Sequence, residues 1–343
     1  MKPIISVALA TYNGERFITE QLQSLANQSD LPYELVVTDD GSTDRTLAIL
    51  NDFANTVAFP VKVHSNPERL GFSDNFIKAA SLCSGDWIAF SDQDDVWMLN
   101  KLARFRQTIE RHRHDDLVMV GHTSLLSDGR LRPTGQRLPD FASDRLVKRA
   151  SNEGFFCIVG FSMACRADLI RRFDPGLRPR RSEADWTPPG HDQWLGMLAN
   201  IVGNIAVITE PLAIWRRHGD SLTRPPSPQT ILDETRVSFR ANQPDAYLLR
   251  ATMAQEAAAS FHALAKSCTD IAITKRLSEG AHLFTRLSNN LRSRGHLYSS
   301  TQVSLRLNHY ARLLATNAYF GPPVAALGWR SCAKDLLFAL GML

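Results

Sequence analysis

The sequence lacks the marks of several protein classes. Its five cysteines, Cys83, Cys157, Cys165, Cys268 and Cys332, are odd in number and no two stand at C-x-x-C spacing. That argues against a disulfide framework or a zinc site and fits a reducing compartment. No uninterrupted apolar run is long enough to span a bilayer. The amino-terminal stretch MKPIISVALATYNG carries one lysine and lacks the longer apolar region and cleavage site of a signal peptide, so it reads as a first core strand and the chain is expected in the cytoplasm. Charge is nearly balanced: 39 Lys and Arg against 35 Asp and Glu leave a formal charge of +4. That is too little for a dedicated nucleic-acid binder, and no nucleic-acid partner is expected. Internal repeats are absent. Gly-x-Gly-x-x-Gly is missing after the first strand, where Thr11-Tyr12-Asn13-Gly14 stands instead, which excludes a nicotinamide-dependent Rossmann oxidoreductase. The Gly-rich basic loop that a sugar-nucleotide nucleotidyltransferase would carry there is missing too.

What is present is an ordinary globular composition, 44% hydrophobic and 22% charged, over 343 residues. That suffices for a buried core and for one large α/β domain with an appendage, or two domains. The first 125 residues alternate apolar, β-rich runs with helical spacing. Strands are expected at 4–10, 33–38, 61–64, 87–90 and 117–121, and helices at 15–27, 43–53, 72–82 and 100–112. Such alternation implies a mostly parallel sheet flanked by helices, with any ligand site at the carboxyl ends of the strands. Residues 129–149 read as polar loop, and Gly154–Ala164 as a small, apolar stretch. A helix is expected from His191 and strands at 205–208 and 212–215. Arg224-Pro225-Pro226-Ser227-Pro228 marks a boundary, since proline is excluded from helix interiors and central strands. The expected division is a catalytic domain over 1–224 and a helical region over 229–343.

Three polar clusters each follow an expected strand: Thr11-Tyr12-Asn13-Gly14, Asp39-Asp40-Gly41-Ser42-Thr43-Asp44 and Asp92-Gln93-Asp94-Asp95. Three carboxylates within four residues repel one another, and a hard divalent cation, Mn²⁺ or Mg²⁺, is the natural counter-charge. A solvated acidic turn before the helix at Asn100 is the bland alternative. In the second cluster Ser42 or Thr43 reads as a helix N-cap. A carboxylate of Asp39 or Asp40 can accept the imide N–H of a pyrimidine or ribose hydroxyls, and Tyr12 can offer a face for the base.

Together these residues resemble the family 2 glycosyltransferases. The resemblance is carried by Ala10 to Gly14, Val37 to Asp44, Asn66 to Gly71 with Asn75, and Phe90 to Trp97. It covers about residues 3 to 220, and its Asp-Gln-Asp-Asp-Val-Trp form is similar to bacterial rhamnosyltransferase-like members. It implies a GT-A type α/β fold with a C-terminal helical appendage. It implies an inverting transfer of a sugar from a UDP- or dTDP-sugar, dTDP-rhamnose among them, to a hydroxyl of a glycan or lipid-linked acceptor in surface polysaccharide synthesis. Thr11, Tyr12 and Asn13 fall at the base-binding turn, and Asp40 at the carboxylate that pairs with the pyrimidine. Asn66 and Gly71 belong to the same nucleotide-sugar site. Asp92 and Asp94 match the outer residues of the Asp-x-Asp motif, Asp92 on the ribose or metal shell and Asp94 on the metal. Gly160 matches a small-residue turn beneath the donor sugar, Arg216 a contact to the diphosphate, and His218 a late histidine completing the metal shell. Asp192 matches the general base, with His191 where many members carry Glu; Glu183 and Asp185 are the next candidates. The Gln-x-x-Arg-Trp motif of processive synthases is absent, so one sugar per encounter is implied.

Two features stay outside this frame. The apolar tail Val324 to Leu343, interleaved with Arg330 and Lys334, fits peripheral contact with a membrane, or packing on the catalytic domain or on a second copy in a homo-oligomer. The alternative to catalysis is a nucleotide-binding or scaffold protein with degenerate motifs.

Overall fold

The computed structural model describes residues 2–179, 190–219 and 244–342. The chain divides into two compact units. One spans 1–149, 156–178 and 188–219; the other takes in 150–155, 179–187 and 220–343. The proline-rich boundary at 224–228 lies outside the described residues, as do Glu183 and Asp185.

The first unit is built on a ten-stranded sheet. Strands β1 (Ile5–Thr11), β2 (Glu34–Asp39), β3 (Val61–Ser65) and β4 (Trp87–Ser91) alternate with helices α1 (Ile18–Ala26), α2 (Thr46–Ala54) and α3 (Phe72–Leu82). They pair in parallel in the order β3-β2-β1-β4. All residues of β1, β2 and β4 are buried, as strands covered on both faces must be. The near-continuous apolar runs Ile5–Ala10 and Leu35–Val37 follow from that. After β4 come the two-residue strand β5 (Val96–Trp97), helix α4 (Lys101–Arg111) and the long β6 (Leu117–Ser127).

Beyond β6 the structure departs from the sequence reading. Residues 129–149 are not all loop: β7 (Pro133–Arg137) pairs antiparallel with β6, and β8 (Arg145–Val147) pairs antiparallel with β10 (Asn204–Arg216). Both are short strands without apolar alternation, β7 largely exposed and β8 half-buried, so they carry no periodic signal. The stretch before Ala164 leads into β9 (Met163–Arg166), which inserts antiparallel between β4 and β6. The strands expected at 205–208 and 212–215 are one strand, β10, with register shifts around Pro211. Helices α5 (Asp168–Arg171) and α6 (His191–Val202) complete the unit. Neither Ser42 nor Thr43 caps α2: its N-cap is Arg45, and Asp44 accepts from Thr46 N–H (3.0 Å).

The second unit holds helices α7 (Pro244–Ser267), α8 (Ile271–Ser299), α9 (Val303–Ala315) and α10 (Trp329–Ala339). Asp270 caps α8, its carboxylate accepting from the N–H groups of Ala272 and Ile273. Small residues Ala251, Ala254, Ala257 and Ala258 let α7 lie close to α8. A polar knot seats α10: Asp335, wholly buried, accepts from Arg294 (2.9 Å), Tyr298 (2.6 Å) and Tyr319 (2.9 Å).

A second buried carboxylate ties the first unit's sheet at its opposite end from the ligand rim. Glu34 accepts from Ser6 (2.9 Å), Ser84 N–H (2.6 Å) and Lys62 (2.6 Å). Burial opposes its ionisation, but the Lys62 and Ser84 hydrogen bonds outweigh burial and hold its pKa down at about 2, against an ordinary 4.5. A depressed carboxylate pKa means stability present above pH 4.5 and lost as pH falls toward 2, on the order of 3 kcal/mol in all. We expect Glu34→Gln to lower the urea midpoint at neutral pH, with the gap to the unaltered chain closing between pH 4.5 and 2. A gap that stays constant over that window would show that Glu34 carries no acid-linked stability.

Candidate active site

The rim formed by the carboxyl ends of β1, β2 and β4 gathers the polar clusters, because parallel strands all end on the same side. At the end of β1, Thr11 is buried and its hydroxyl donates to Asp39 (2.8 Å). Asp39 also accepts from the N–H groups of Gly41 (3.2 Å) and Ser42 (2.8 Å), so it ties its own turn. Asn13 sits at positive φ (47°), its N–H donating to Ser42 and its side-chain oxygen accepting from Thr43 N–H, both at 2.8 Å. Tyr12 is exposed, with the Arg69 guanidinium 3.9 Å from its ring centroid.

Asp40 is buried and faces the loop before α3. It accepts from Asn66 (2.9 Å), Leu70 N–H (2.7 Å) and Gly71 N–H (2.7 Å). Gly71 (φ 83°) takes the left-handed conformation that lets its N–H turn toward Asp40 at the start of α3. Asn66 is itself held by Lys78 and Asn75.

Asp92, Asp94 and Asp95 follow β4, with one carboxylate oxygen from each within 4.8 Å of the others. Burial and then the charge of Asp94 push the pKa of both Asp92 and Asp95 well above the usual carboxylate range, with Asp192 adding to the effect on Asp92. One oxygen of each, Asp92 Oδ1 and Asp95 Oδ2, is buried without a hydrogen-bond partner among the described residues. Orphaned anionic oxygens are costly unless something positive meets them. Asp94 Oδ2 lies 2.8 Å from His218 Nε2, and the His218 ring packs at a tilt against Phe17, with centroids 4.4 Å apart. The set is therefore fit for a hard divalent cation: oxygen donors from Asp92, Asp94 and Asp95, with an imidazole beside Asp94.

Three residues of this rim have partners that the sequence does not indicate, and of these Lys101 carries no expectation at all. Gln93 bridges the Asp turn to Tyr12, accepting from its N–H (3.0 Å) and donating to its carbonyl (3.1 Å), and a Cβ on Gly14 would collide with it. Asp95 accepts from Arg216 N–H (2.9 Å). Lys101 is fully buried beneath the turn, donating to the Phe161 carbonyl (2.6 Å) and lying 3.6 Å from the Trp97 ring centroid. Burial drives its pKa down, against the pull of Asp95 and Asp92. A lysine in the first turn of a helix opposes the helix dipole, and that mismatch is the signal that could have marked it.

Arg216 corrects an expectation. It does not stand open to a diphosphate but is 3% exposed, and its guanidinium donates to Glu20, to the Asp94 carbonyl (2.8 Å) and to the Gly129 carbonyl (3.2 Å). Strand β10 runs on through Arg216, which sends the side chain back under the Asp turn. Arg217 is the next cation along and feels both Asp94 and Asp95.

Asp192 lies in the first turn of α6, where a carboxylate suits the helix dipole, and the N-cap is Gly190 rather than Asp192. The thiol of Cys157 is beside it; the residue is exposed as a whole, but local desolvation and then the Asp192 charge raise the thiol's pKa. His191 is enclosed by Phe76 (4.2 Å between centroids), Phe90 and Phe72, and neither ring nitrogen has a partner among the described residues. Burial lowers its pKa to about 4, so the ring beside Asp192 is neutral at physiological pH. Gly160, expected beneath a donor sugar, makes room for that ring: a Cβ there would lie 2.5 Å from His191 Nε2.

Residues 6–173 match the family described as "Glycosyl transferase family 2". Among curated proteins, a dTDP-rhamnosyl transferase of Shigella flexneri, RfbG, is 39% identical over 98 residues, covering 27% of this chain and 34% of that protein. A putative glycosyltransferase of Bacillus subtilis, EpsE, is 33% identical over 119 residues, covering 35% and 43%. The matched stretch thus spans less than half the length of either relative. Among solved structures, S. aureus TarS 1–349 in complex with UDP-GlcNAc superposes with a TM-score of 0.54 at 18% identity, over 98% of this chain and 92% of that one. At that identity the likeness concerns the fold, which is of the GT-A type.

If the orphaned oxygens of Asp92 and Asp95 are ready for a cation, Mn²⁺ should raise the melting temperature of the unliganded chain, since a ligand that prefers the folded state stabilises it. Asp94→Ala should abolish that rise. An unaltered chain that melts at the same temperature with Mn²⁺, Mg²⁺ or chelator would remove the cation site.

Proposed function

We propose, from the membership of residues 6–173 in glycosyl transferase family 2, that the chain is an inverting, metal-dependent glycosyltransferase acting on a nucleotide-diphosphate sugar. The observation that carries this reading is the cluster at the end of β4, where one carboxylate oxygen each of Asp92, Asp94 and Asp95 lie within 4.8 Å of one another and His218 Nε2 stands 2.8 Å from Asp94.

Each residue then has a task. Asp40 has two oxygens with about four acceptor positions, of which protein N–H groups use three, so one can accept the imide N–H of uracil or thymine. Tyr12, with Arg69, offers a flat cationic surface for the base. Asn66 and Gly71 hold Asp40 in place, and Thr11 and Asn13 hold the facing turn. Asp92, Asp94 and Asp95, with His218, would hold the divalent cation, which when bound supplies charge neutralisation for a departing diphosphate. Arg216 fixes the turn that presents these carboxylates, and Arg217 adds positive charge beside it.

Asp192 takes the proton of the acceptor hydroxyl as its oxygen attacks the anomeric carbon. The bond from that carbon to the diphosphate oxygen breaks with its electron pair leaving on the diphosphate, and one displacement inverts the centre. A carboxylate is a weak base, but it receives the proton only as the attacking oxygen becomes acidic. The neutral His191 ring beside Asp192 does not compete with it as a cation at physiological pH. The donor we favour is a dTDP- or UDP-sugar, dTDP-rhamnose first, because the Shigella relative is named for dTDP-rhamnosyl transfer. The acceptor is a hydroxyl of a glycan or lipid-linked glycan in surface polysaccharide synthesis, at the cytoplasmic side of the membrane.

Asp192→Asn keeps shape and removes basicity. Turnover should fall by about 10²–10⁴-fold while donor affinity, read by thermal shift with a panel of nucleotide sugars and Mn²⁺, stays near that of the unaltered chain. Asp94→Ala should lose both. Near-normal turnover in Asp192→Asn would move the base elsewhere, to Glu183 or Asp185. Metal-stimulated donor hydrolysis absent from the unaltered chain would favour a nucleotide-binding scaffold.

A further inference from the structure

The second unit keeps an apolar surface in water that its own packing does not use. Helix α10 buries Asp335, Phe338 and Ala339 on one side. On a flanking face Trp329, Leu336 and Leu340, the last just past the helix end, recur at i, i+7 and i+11, exposed by 67%, 38% and 47%. The neighbouring α9 also leaves large apolar side chains in water: Tyr310 and Leu313 are buried, while Val303, Leu307 and Leu314 are exposed. A Cβ added at Gly341, just past α10, would lie 4.0 Å from the Val303 side chain at the start of α9, so the exposed residues of the two helices end close together. Ten of the twenty exposed large apolar side chains among the described residues fall between 303 and 342. That concentration in so short a stretch is not the scatter expected of an ordinary surface.

Charge separates the occupants such a surface could have. From 281 to 342 there are seven basic residues and one acidic, Asp335. That acid is wholly buried and paired with Arg294, so the stretch presents basic and not acidic side chains at its surface. Arg330 follows Trp329 directly and Arg312 lies on α9, both exposed. A second copy apposed through the same face would set like charges against each other, which disfavours a self-interface. An anionic bilayer matches both features: apolar side chains enter the acyl boundary while the arginines meet the phosphates. None of the described helices is long and apolar enough to cross a membrane, so contact would be in the plane of the surface.

We infer that α9 and α10 form a membrane-docking face that holds the protein on an anionic phospholipid surface through Trp329, Leu336 and Leu340 with Arg312 and Arg330. The face is independent of the transfer chemistry. Its consequence for that chemistry is concentration: an enzyme confined to the surface meets a lipid-linked acceptor far more often than one free in solution.

Vesicle flotation of the full chain tests this. The unaltered chain should float with vesicles containing phosphatidylglycerol, should float poorly with phosphatidylcholine alone, and should be released by salt. The exposed-site variant Trp329→Ser/Leu336→Ser/Leu340→Ser should bind about tenfold more weakly or worse at an unchanged melting temperature, and Arg312→Glu/Arg330→Glu should do the same. Two variants of different chemistry guard against a folding defect in either. Failure of the unaltered chain to float, or equal flotation of both variants, overturns the proposal. So does an unaltered dimer in gel filtration that the triple serine variant converts to monomer, which assigns the face to self-association. Since no step depends on turnover, a negative result here leaves the glycosyl-transfer reading standing.

Discussion

The repulsion among Asp92, Asp94 and Asp95 is the constraint around which the first unit is organised. Three carboxylates at the end of one buried strand cannot stay ionised together without compensation. Compensation comes from several directions. Lys101 lies buried below, Arg216 clamps the turn by its backbone N–H and its guanidinium, and His218 meets Asp94. What remains uncompensated are single oxygens of Asp92 and Asp95. A site left in this state would be stabilised by a hard divalent cation.

That constraint explains the course of the chain around it. Strand β10 runs through two irregularities near Pro211 so that Arg216 and His218 arrive over the Asp turn, more than a hundred residues away in sequence. β5 pairs antiparallel with β10 at Ile214 and Ala213, which locks the turn between β4 and β10. Gln93 then couples that turn to Tyr12, so the metal-ready cluster and the expected base-binding turn are held in fixed relation by two hydrogen bonds.

The two units solve burial of charge in different ways. In the helical unit Asp335 is fully satisfied by Arg294 and two tyrosine hydroxyls, a closed knot with nothing left to bind. At the rim of the sheet, satisfaction is deliberately incomplete. A saturated buried carboxylate specifies packing, whereas an undersaturated one at a strand end specifies a ligand.

Local patterns determined the parallel half of the sheet. The apolar runs of β1, β2 and β4 and the helical spacing of α3 placed Thr11, Asp40 and Asp92 at one rim, because period and strand direction are properties of neighbouring residues. The same locality made the Asp triplet visible as a charge problem. What the sequence could not determine was anything set by partners distant along the chain. The edge strands β7 and β8 lack periodicity, and β9 is too short to show it, so all three exist by pairing. Arg216 looked like a ligand for a diphosphate, and only the path of β10 decided that its side chain turns inward to Glu20 and the Asp turn. Lys101 drew no reading from the sequence until folding buried it where it feels two aspartates, and Gly160, read as a small-residue turn beneath a donor sugar, is also the space that His191 needs. In each case side-chain chemistry was written locally, but its partner was chosen by which backbone the fold brought within 3 Å.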